Sequence, residues 1–171
     1  MTKAPADRGP VPPPDISRIT DHLFISAFPE AEHAETIRAL NVRLILSMPL
    51  QKPHHQVRMA PVKWLHLRTV DSPLTPMPIS VLRRGVEAAL PVIDDGHGVL
   101  VHCLAGVHRS VAMACCILIG MGYSAEAAMT LVEEKREVAD PRVWYIRRRI
   151  EKFEVSWRKR HPIGDAGPDG P

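Results

Sequence analysis

A chain of 171 residues with 45% hydrophobic content suits one globular domain with a sizeable core and has no comfortable room for a second. The formal charge of +3 is a mild basic bias, compatible with anionic substrates and short of what a dedicated nucleic-acid binder carries. Three cysteines without framework spacing speak against a secreted disulfide scaffold, the first 14 residues lack the apolar core of a signal peptide, and no long apolar run offers a membrane span, so a cytoplasmic protein is expected.

Residues 1–14, with Pro5, Pro10, Pro12, Pro13 and Pro14, read as a disordered or polyproline-like lead-in that cannot bury a core. One globular domain is then expected over 15–161 and a flexible Gly- and Pro-rich tail over 162–171. Ile16 to Ile19 and Leu23 to Ser26, separated by Thr20-Asp21-His22, predict a hairpin. Glu30 to Leu40 predicts a helix closed by Asn41, and Val42 to Met48 a buried strand, a strand-helix-strand unit of the kind that builds a parallel sheet. Pro49 to Pro61 has little periodicity and reads as a loop bordering the site; its His54-His55 pair has no carboxylate or cysteine at ligand spacing, so no metal is expected there. Trp64 to Thr69 alternates and predicts the next strand, delivering Val70-Asp71-Ser72-Pro73 to its end, where open sheets bind ligands. Pro78 to Ile93 has helical spacing, and Asp94 and Asp95 flank glycines in a helix-to-strand turn.

Gly98 to His102 reads as a short buried strand and Arg109 to Gly120 as a central helix apolar on every face, so the loop between them ends at a helix N-terminus. Unpaired N–H groups and the positive end of the helix dipole attract an anion there and favour a thiolate at Cys103. Arg109, six positions after Cys103, presents a planar fork that can hold two phosphate oxygens at once. Gly106 supplies a residue that tolerates positive φ, and Ser110 a hydroxyl near the sulfur. Cys115 and Cys116 lie ~9 and ~10 Å along the helix, too far for a disulfide with Cys103, and read as buried packing. Ser124 predicts an N-cap for a helix to about Arg136, and Asp140-Pro141 a cap and first-turn proline for the last helix. There Val143, Ile146, Ile150, Phe153 and Trp157 form one apolar stripe, and eight Lys or Arg stand against two Glu between Arg142 and His161. A solvated basic face is the default reading; contact with nucleic acid or an anionic membrane is the lesser alternative.

The stretch His102-Cys103-Leu104-Ala105-Gly106-Val107-His108-Arg109-Ser110 resembles the Cys-x5-Arg signature loop of the cysteine-dependent protein tyrosine phosphatases, and its Ala-Gly-Val-x-Arg-Ser wording resembles the dual-specificity branch. Ile-Thr-Asp-His-Leu-Phe-Ile-Ser resembles that branch's opening strands. The resemblance implies an α/β fold, a central, mostly parallel sheet of about five strands with helices on both faces, which the strand-helix alternation independently supports. It implies a phosphate-binding loop formed by Leu104, Ala105, Gly106, Val107, His108 and Arg109, with Cys103 as nucleophile. Asp71, 32 positions before Cys103 and just past a strand, matches the general acid, which protonates the leaving group and later activates water. By family position Ser110 assists departure of the thiolate and His102 orders the loop. His108 departs from the Ser or Gly common in this branch; an imidazole there adds positive charge at low pH or narrows the entrance.

The implied activity is metal-independent, cofactor-free hydrolysis of phosphomonoesters through a cysteinyl-phosphate. A phosphorylated protein is the expected partner, carrying phosphotyrosine and phosphoserine or phosphothreonine, because nothing resembles the loop that deepens tyrosine-specific pockets. The alternatives are a phospholipid, nucleotide or RNA 5′-end phosphatase, a phosphate-binding adaptor without turnover, and a rhodanese-like sulfurtransferase. Phosphoinositide phosphatases of this superfamily often carry lysines within the signature loop; Leu104, Ala105, Val107 and His108 at those positions argue against a highly charged inositol headgroup.

Overall fold

A computed structural model describes residues 14–162. Residues 1–13 of the Pro-rich lead-in and 163–171 of the tail lie outside the described residues. Five strands, β1 (Ile16–Arg18), β2 (Leu23–Ser26), β3 (Val42–Ser47), β4 (Lys63–His66) and β5 (Gly98–His102), form one sheet in the order β1-β2-β5-β3-β4. β1 and β2 are the expected antiparallel hairpin, and every other pairing is parallel. The helices are α1 (Ala34–Ala39), α2 (Ile79–Asp94), α3 (Arg109–Gly120), α4 (Ala125–Lys135) and α5 (Trp144–Arg160).

Period-2 alternation divides the core into two layers. Leu23, Ile25, Val99, Val101, Leu44 and Leu46 face α2, α3, α4 and α5, whereas Phe24, Leu100 and Ile45 face α1 and the turns beside it. Val42 breaks the alternation, lying on the α1 side with Ile45, because a register shift between Val42 and Leu44 inserts Arg43. α3 fills the thicker layer, with eleven of its twelve residues buried, which is why its sequence is apolar on all sides. α5 covers that layer with Ile146, Ile150, Phe153 and Trp157, and Phe153 and Trp157 stack with ring centroids 5.5 Å apart. Among the described residues, no helix is long and apolar enough to cross a membrane.

Several boundaries differ from expectation. β4 stops at His66, not Thr69, because β3 ends at Ser47 and offers no further ladder; Leu67 and Thr69 instead donate their N–H groups to Ser47 O and Met48 O at 2.8 and 2.9 Å. The segment expected as one helix from Glu30 opens with a 3₁₀ turn, Ala31–His33, before α1, and Asn41 closes it at φ 58°. Asp140 does not cap the last helix directly. Its Oδ1 accepts from Val143 N at 3.0 Å in a turn before α5, while its own N–H bonds Val107 O at 3.0 Å. β3, β4 and β5 run parallel, so the segments that leave their C-terminal ends meet at one edge of the sheet.

Candidate active site

The loop from Cys103 to His108 joins β5 to α3, and its shape is set by where its carbonyls go. Cys103 O receives His102 Nδ1 at 3.2 Å, Leu104 O the N–H of Phe28 at 3.0 Å, and Val107 O the N–H of Asp140. Arg136 serves the two between them, with Nε on Gly106 O at 2.7 Å and Nη2 on Ala105 O at 3.4 Å. Five successive carbonyls are thus held by groups outside the loop's concavity. In a trans peptide the following N–H points the opposite way, so the N–H groups from Leu104 to His108 turn toward the hollow in front of α3. Gly106 adopts φ 68°, and a Cβ there would lie 2.8 Å from Ser26 O, so both conformation and close approach require glycine.

Cys103 lies at the floor, 2% exposed. Gly106 N–H donates to Sγ at 3.1 Å and Ser110 Oγ lies 3.2 Å from it. Burial alone would raise the thiol's pKa, but the hydrogen bonds from Ser110 and Gly106 and the Arg109 charge together outweigh it and leave the pKa lowered. Cys115 and Cys116 are equally buried without such donors, and burial pushes both thiols up.

Arg109 is 5% exposed and oriented from behind. Its Nη1 donates to Thr69 O at 2.6 Å and Met48 O at 3.3 Å, which places the carbonyl after β4 in the service of the site instead of the sheet. Its buried Nε has no hydrogen-bond partner among the described residues. One arm of the fork is clamped and the other side is left for a ligand.

His102 is fully buried and orders the loop from below. Burial, aided by the charges of His66 and Arg109, lowers its pKa to about 4, so the ring is neutral near pH 7 with one N–H to give. Nδ1 donates it to Cys103 O, and Nε2 accepts from the Ser47 hydroxyl at the end of β3.

Asp71 lies where the chain leaves the extended segment after β4, on the wall of an open cleft of about 310 Å³ with Leu50, Val70, Leu104 and Arg109. Its oxygens meet two side chains: Tyr145 OH donates to Oδ1 at 2.9 Å, and His108 Nδ1 stands 3.0 Å from Oδ2. The structure therefore brings together all the expected site residues, Asp71, His102, Cys103, Leu104, Ala105, Gly106, Val107, His108, Arg109 and Ser110. His54 and His55 lie apart, His54 Nδ1 accepting from Gln56 N at the start of a short 3₁₀ turn. Among the described residues no group of three or more His, Cys, Asp or Glu is placed to hold a metal ion.

Ser47, Arg136 and Tyr145 were not expected at the site. Arg136 is 2% exposed and also reaches Asp15, with Nη2 to Oδ2 at 2.7 Å, and Ser17, with Nη1 to Oγ at 3.0 Å. Its hydrogen bonds and charge hold the Asp15 carboxyl below its usual range. Contacts at such sequence separations leave no local pattern. Ser47, a polar residue closing the apolar run Leu44-Ile45-Leu46, was the one visible signal.

A family model, the dual specificity phosphatase catalytic domain, matches residues 23–154, and the chain belongs to this family, the dual-specificity branch of the protein tyrosine phosphatase superfamily. It is 30% identical over 146 residues to human dual specificity protein phosphatase 22, spanning 81% of this chain and 73% of that protein. It is 30% identical over 115 residues to the inositol diphosphatase DSP5 of Arabidopsis thaliana, covering 63% of this chain and 54%, about half, of that relative. Among solved structures, PTPMT1 in complex with PI(5)P matches with a TM-score of 0.75 and 25% identity, over 86% of this chain and 99% of that one. The phosphatase class and the five-stranded α/β fold are those the signature loop implied.

Two outcomes follow for the loop's supports. Arg136→Met strips Ala105 and Gly106 of their donor, and with the buried Gly106 carbonyl left unpaired at ~1–3 kcal/mol, denaturant melts should show a loss of about 2 kcal/mol and vanadate should bind at least tenfold more weakly; unchanged melts and affinity would contradict this role. For His102 the folded pKa lies below the unfolded value of 6.5, so its contribution is complete above pH 6.5 and is lost as pH falls toward about 4. The loss across that window is on the order of 3 kcal/mol, and His102→Gln should flatten it in melts from pH 7 to 4. An equally steep acid limb in that variant would remove His102 as its source.

Proposed function

We propose that this phosphatase hydrolyses phosphomonoesters of proteins, phosphotyrosine together with phosphoserine and phosphothreonine, through a cysteinyl-phosphate. The observation that carries the reading is the Arg109 fork: clamped at Nη1, unpartnered at a buried Nε, and beside a thiol of lowered pKa. That pairs a nucleophile with a waiting anion donor in one hollow. In the first step Cys103 Sγ attacks phosphorus as the P–O bond to the leaving group breaks. Arg109 and the inward N–H groups hold the three non-bridging oxygens, and Asp71 delivers a proton to the leaving oxygen. In the second step Asp71 takes a proton from water as its oxygen attacks phosphorus, the S–P bond breaks, and the Ser110 hydroxyl supports the returning thiolate. No step uses a metal or cofactor.

A protein substrate is supported by the open cleft, whose walls Leu50, Val70 and Leu104 are exposed apolar side chains able to flank a peptide. A reducing, cytoplasmic setting suits the free Cys103. A second reading, a phosphorylated inositol, is favoured by the relative named an inositol diphosphatase. Leu104, Ala105 and Val107 weigh against it, since a multiply charged headgroup is best met by fixed cations such as lysines in the loop and His108 is the only titratable group among residues 104–108.

The test is turnover of 4-nitrophenyl phosphate, a panel of phosphopeptides and soluble inositol phosphates by wild type, Cys103→Ser and Asp71→Asn, without metal and with chelator. Wild type should turn over phosphopeptides of both classes, Cys103→Ser should be inactive, and Asp71→Asn should lose ~10²- to 10⁴-fold. Iodoacetate should alkylate Cys103 with a titration midpoint below the ordinary thiol range. Preference for inositol phosphates over every peptide would overturn the protein assignment, and an active Cys103→Ser the whole mechanism.

A further inference from the structure

Asp71 comes from the loop after β4, His108 is the N-cap of α3, and Tyr145 belongs to the first turn of α5. The three are mutually in contact: besides the two bonds to Asp71, Tyr145 OH lies 3.2 Å from His108 Nδ1, and the two rings meet edge to face at 5.7 Å. Trp144 stands edge-on to Tyr145 at 5.8 Å. The Asp71 and His108 side chains are 32% and 26% exposed, so both are within reach of a substrate and of water.

A ring nitrogen facing a carboxylate at 3.0 Å carries a proton, so His108 Nδ1 is the donor to Oδ2. With Tyr145 donating to Oδ1, both oxygens of Asp71 accept, and a carboxylate so held is a base. To act as the acid of the first step it must gain a proton, and its two hydrogen-bond donors are the groups already in place to give one. Tyr145 cannot supply it: burial first, then the bond to Asp71 and the charges of Asp71 and Asp140, push its phenol up to about 12. It stays a fixed donor. The other charged groups acting on the cluster are Asp140, Arg109 on α3 and Arg149 on α5, the two arginines sharing a crevice with Asp71 and Tyr145. Neither guanidinium gives up a proton at working pH.

We propose that Tyr145 and His108 are positioning residues for Asp71, and that His108 is the proton store that recharges it in each turnover. The inference rests on Asp71 being the acid and base of the proposed function. In the first half-reaction His108 starts as the imidazolium, protonated on both ring nitrogens; its Nδ1–H bond breaks as Asp71 Oδ2–H forms, leaving a neutral ring that keeps Nε2–H. That bond in turn breaks as the leaving oxygen, which keeps the P–O electron pair, takes the proton. In the second half-reaction the attacking water gives its proton to Oδ2, which returns it to Nδ1, while Sγ keeps the S–P pair. One water is consumed, the leaving group departs protonated, and His108 ends as it began. Tyr145 keeps Oδ1 engaged throughout, so Oδ2 alone exchanges protons.

The test compares kcat/KM on 2,4-dinitrophenyl, 4-nitrophenyl and phenyl phosphate, a series of increasingly basic leaving groups, across the pH range for wild type, His108→Ser, His108→Asn, Tyr145→Phe and Asp71→Asn. Each variant's rate on the dinitrophenyl ester, which needs little protonation, serves as its own reference against a folding defect. For His108→Ser and His108→Asn the loss on phenyl phosphate should exceed that on the dinitrophenyl ester tenfold or more, with the basic limb of the profile moved to lower pH. Tyr145→Phe should show the same trend at about threefold, and neither change should add to the loss in an Asp71→Asn background. A loss equal for all three esters, or additive with Asp71→Asn, overturns the proposal, and a His108→Asn enzyme with wild-type behaviour overturns the proton store. If Asp71→Asn itself loses equally on all esters, the assignment of Asp71 fails and this inference with it. If Asp71→Asn is steep and His108→Ser flat, only the inference fails.

Discussion

The outward anchoring of the loop's carbonyls from Cys103 to Val107 is the constraint on which the site depends. A loop of six residues between a strand and a helix has no ladder of its own, and peptide groups free to rotate would present carbonyls and N–H groups to the hollow alike. Here each carbonyl is taken from outside: by buried His102, by the chain after β2, by Arg136 at the end of α4, and by the turn before α5. Four separate regions of the fold therefore specify one concavity. The resulting field of N–H groups is fixed before any anion arrives, so little reorganisation is left to be supplied by binding.

The same arrangement explains why three cysteines in one fold are chemically unlike. Cys103, Cys115 and Cys116 are all buried, and desolvation raises the pKa of each. At Cys103 alone the inward N–H of Gly106, the Ser110 hydroxyl and the Arg109 charge reverse the outcome. Twelve residues further on, inside α3, the backbone donors are consumed by the helix itself and the thiols are packing groups. The lowered pKa in this chain belongs to the loop ahead of α3 together with that helix's first turn.

Much of this was legible in the sequence because it is local. Gly98 to His102 and Arg109 to Gly120 have the bounds expected of them, since an uninterrupted apolar run between turn residues admits few other readings. The Cys103-to-Arg109 spacing, with Gly106 in the turn, pointed to the phosphatase class, and Asp71 was expected at the site from its place beyond a strand together with the family resemblance. What could not be read are groups whose partners lie far along the chain. Arg136 looks like the end of a helix until Asp15 and Gly106 are seen to surround it. Tyr145 looks like one residue of an amphipathic helix until its hydroxyl meets Asp71. The extent of β4 was misjudged for a similar reason, because Thr69 looks like a strand residue while its carbonyl serves Arg109.

The central claim is that phosphate passes through a covalent bond to Cys103 inside this preset cage. The most direct measurement is rapid acid quenching of Asp71→Asn during turnover of 4-nitrophenyl phosphate, followed by peptide mass spectrometry of the residues from 98 to 120. With release of the intermediate slowed, the account predicts one phosphoryl group, on Cys103 Sγ, formed at the rate of the nitrophenol burst. An unmodified Cys103 during active turnover, or a phosphoryl group on any other side chain, would contradict it.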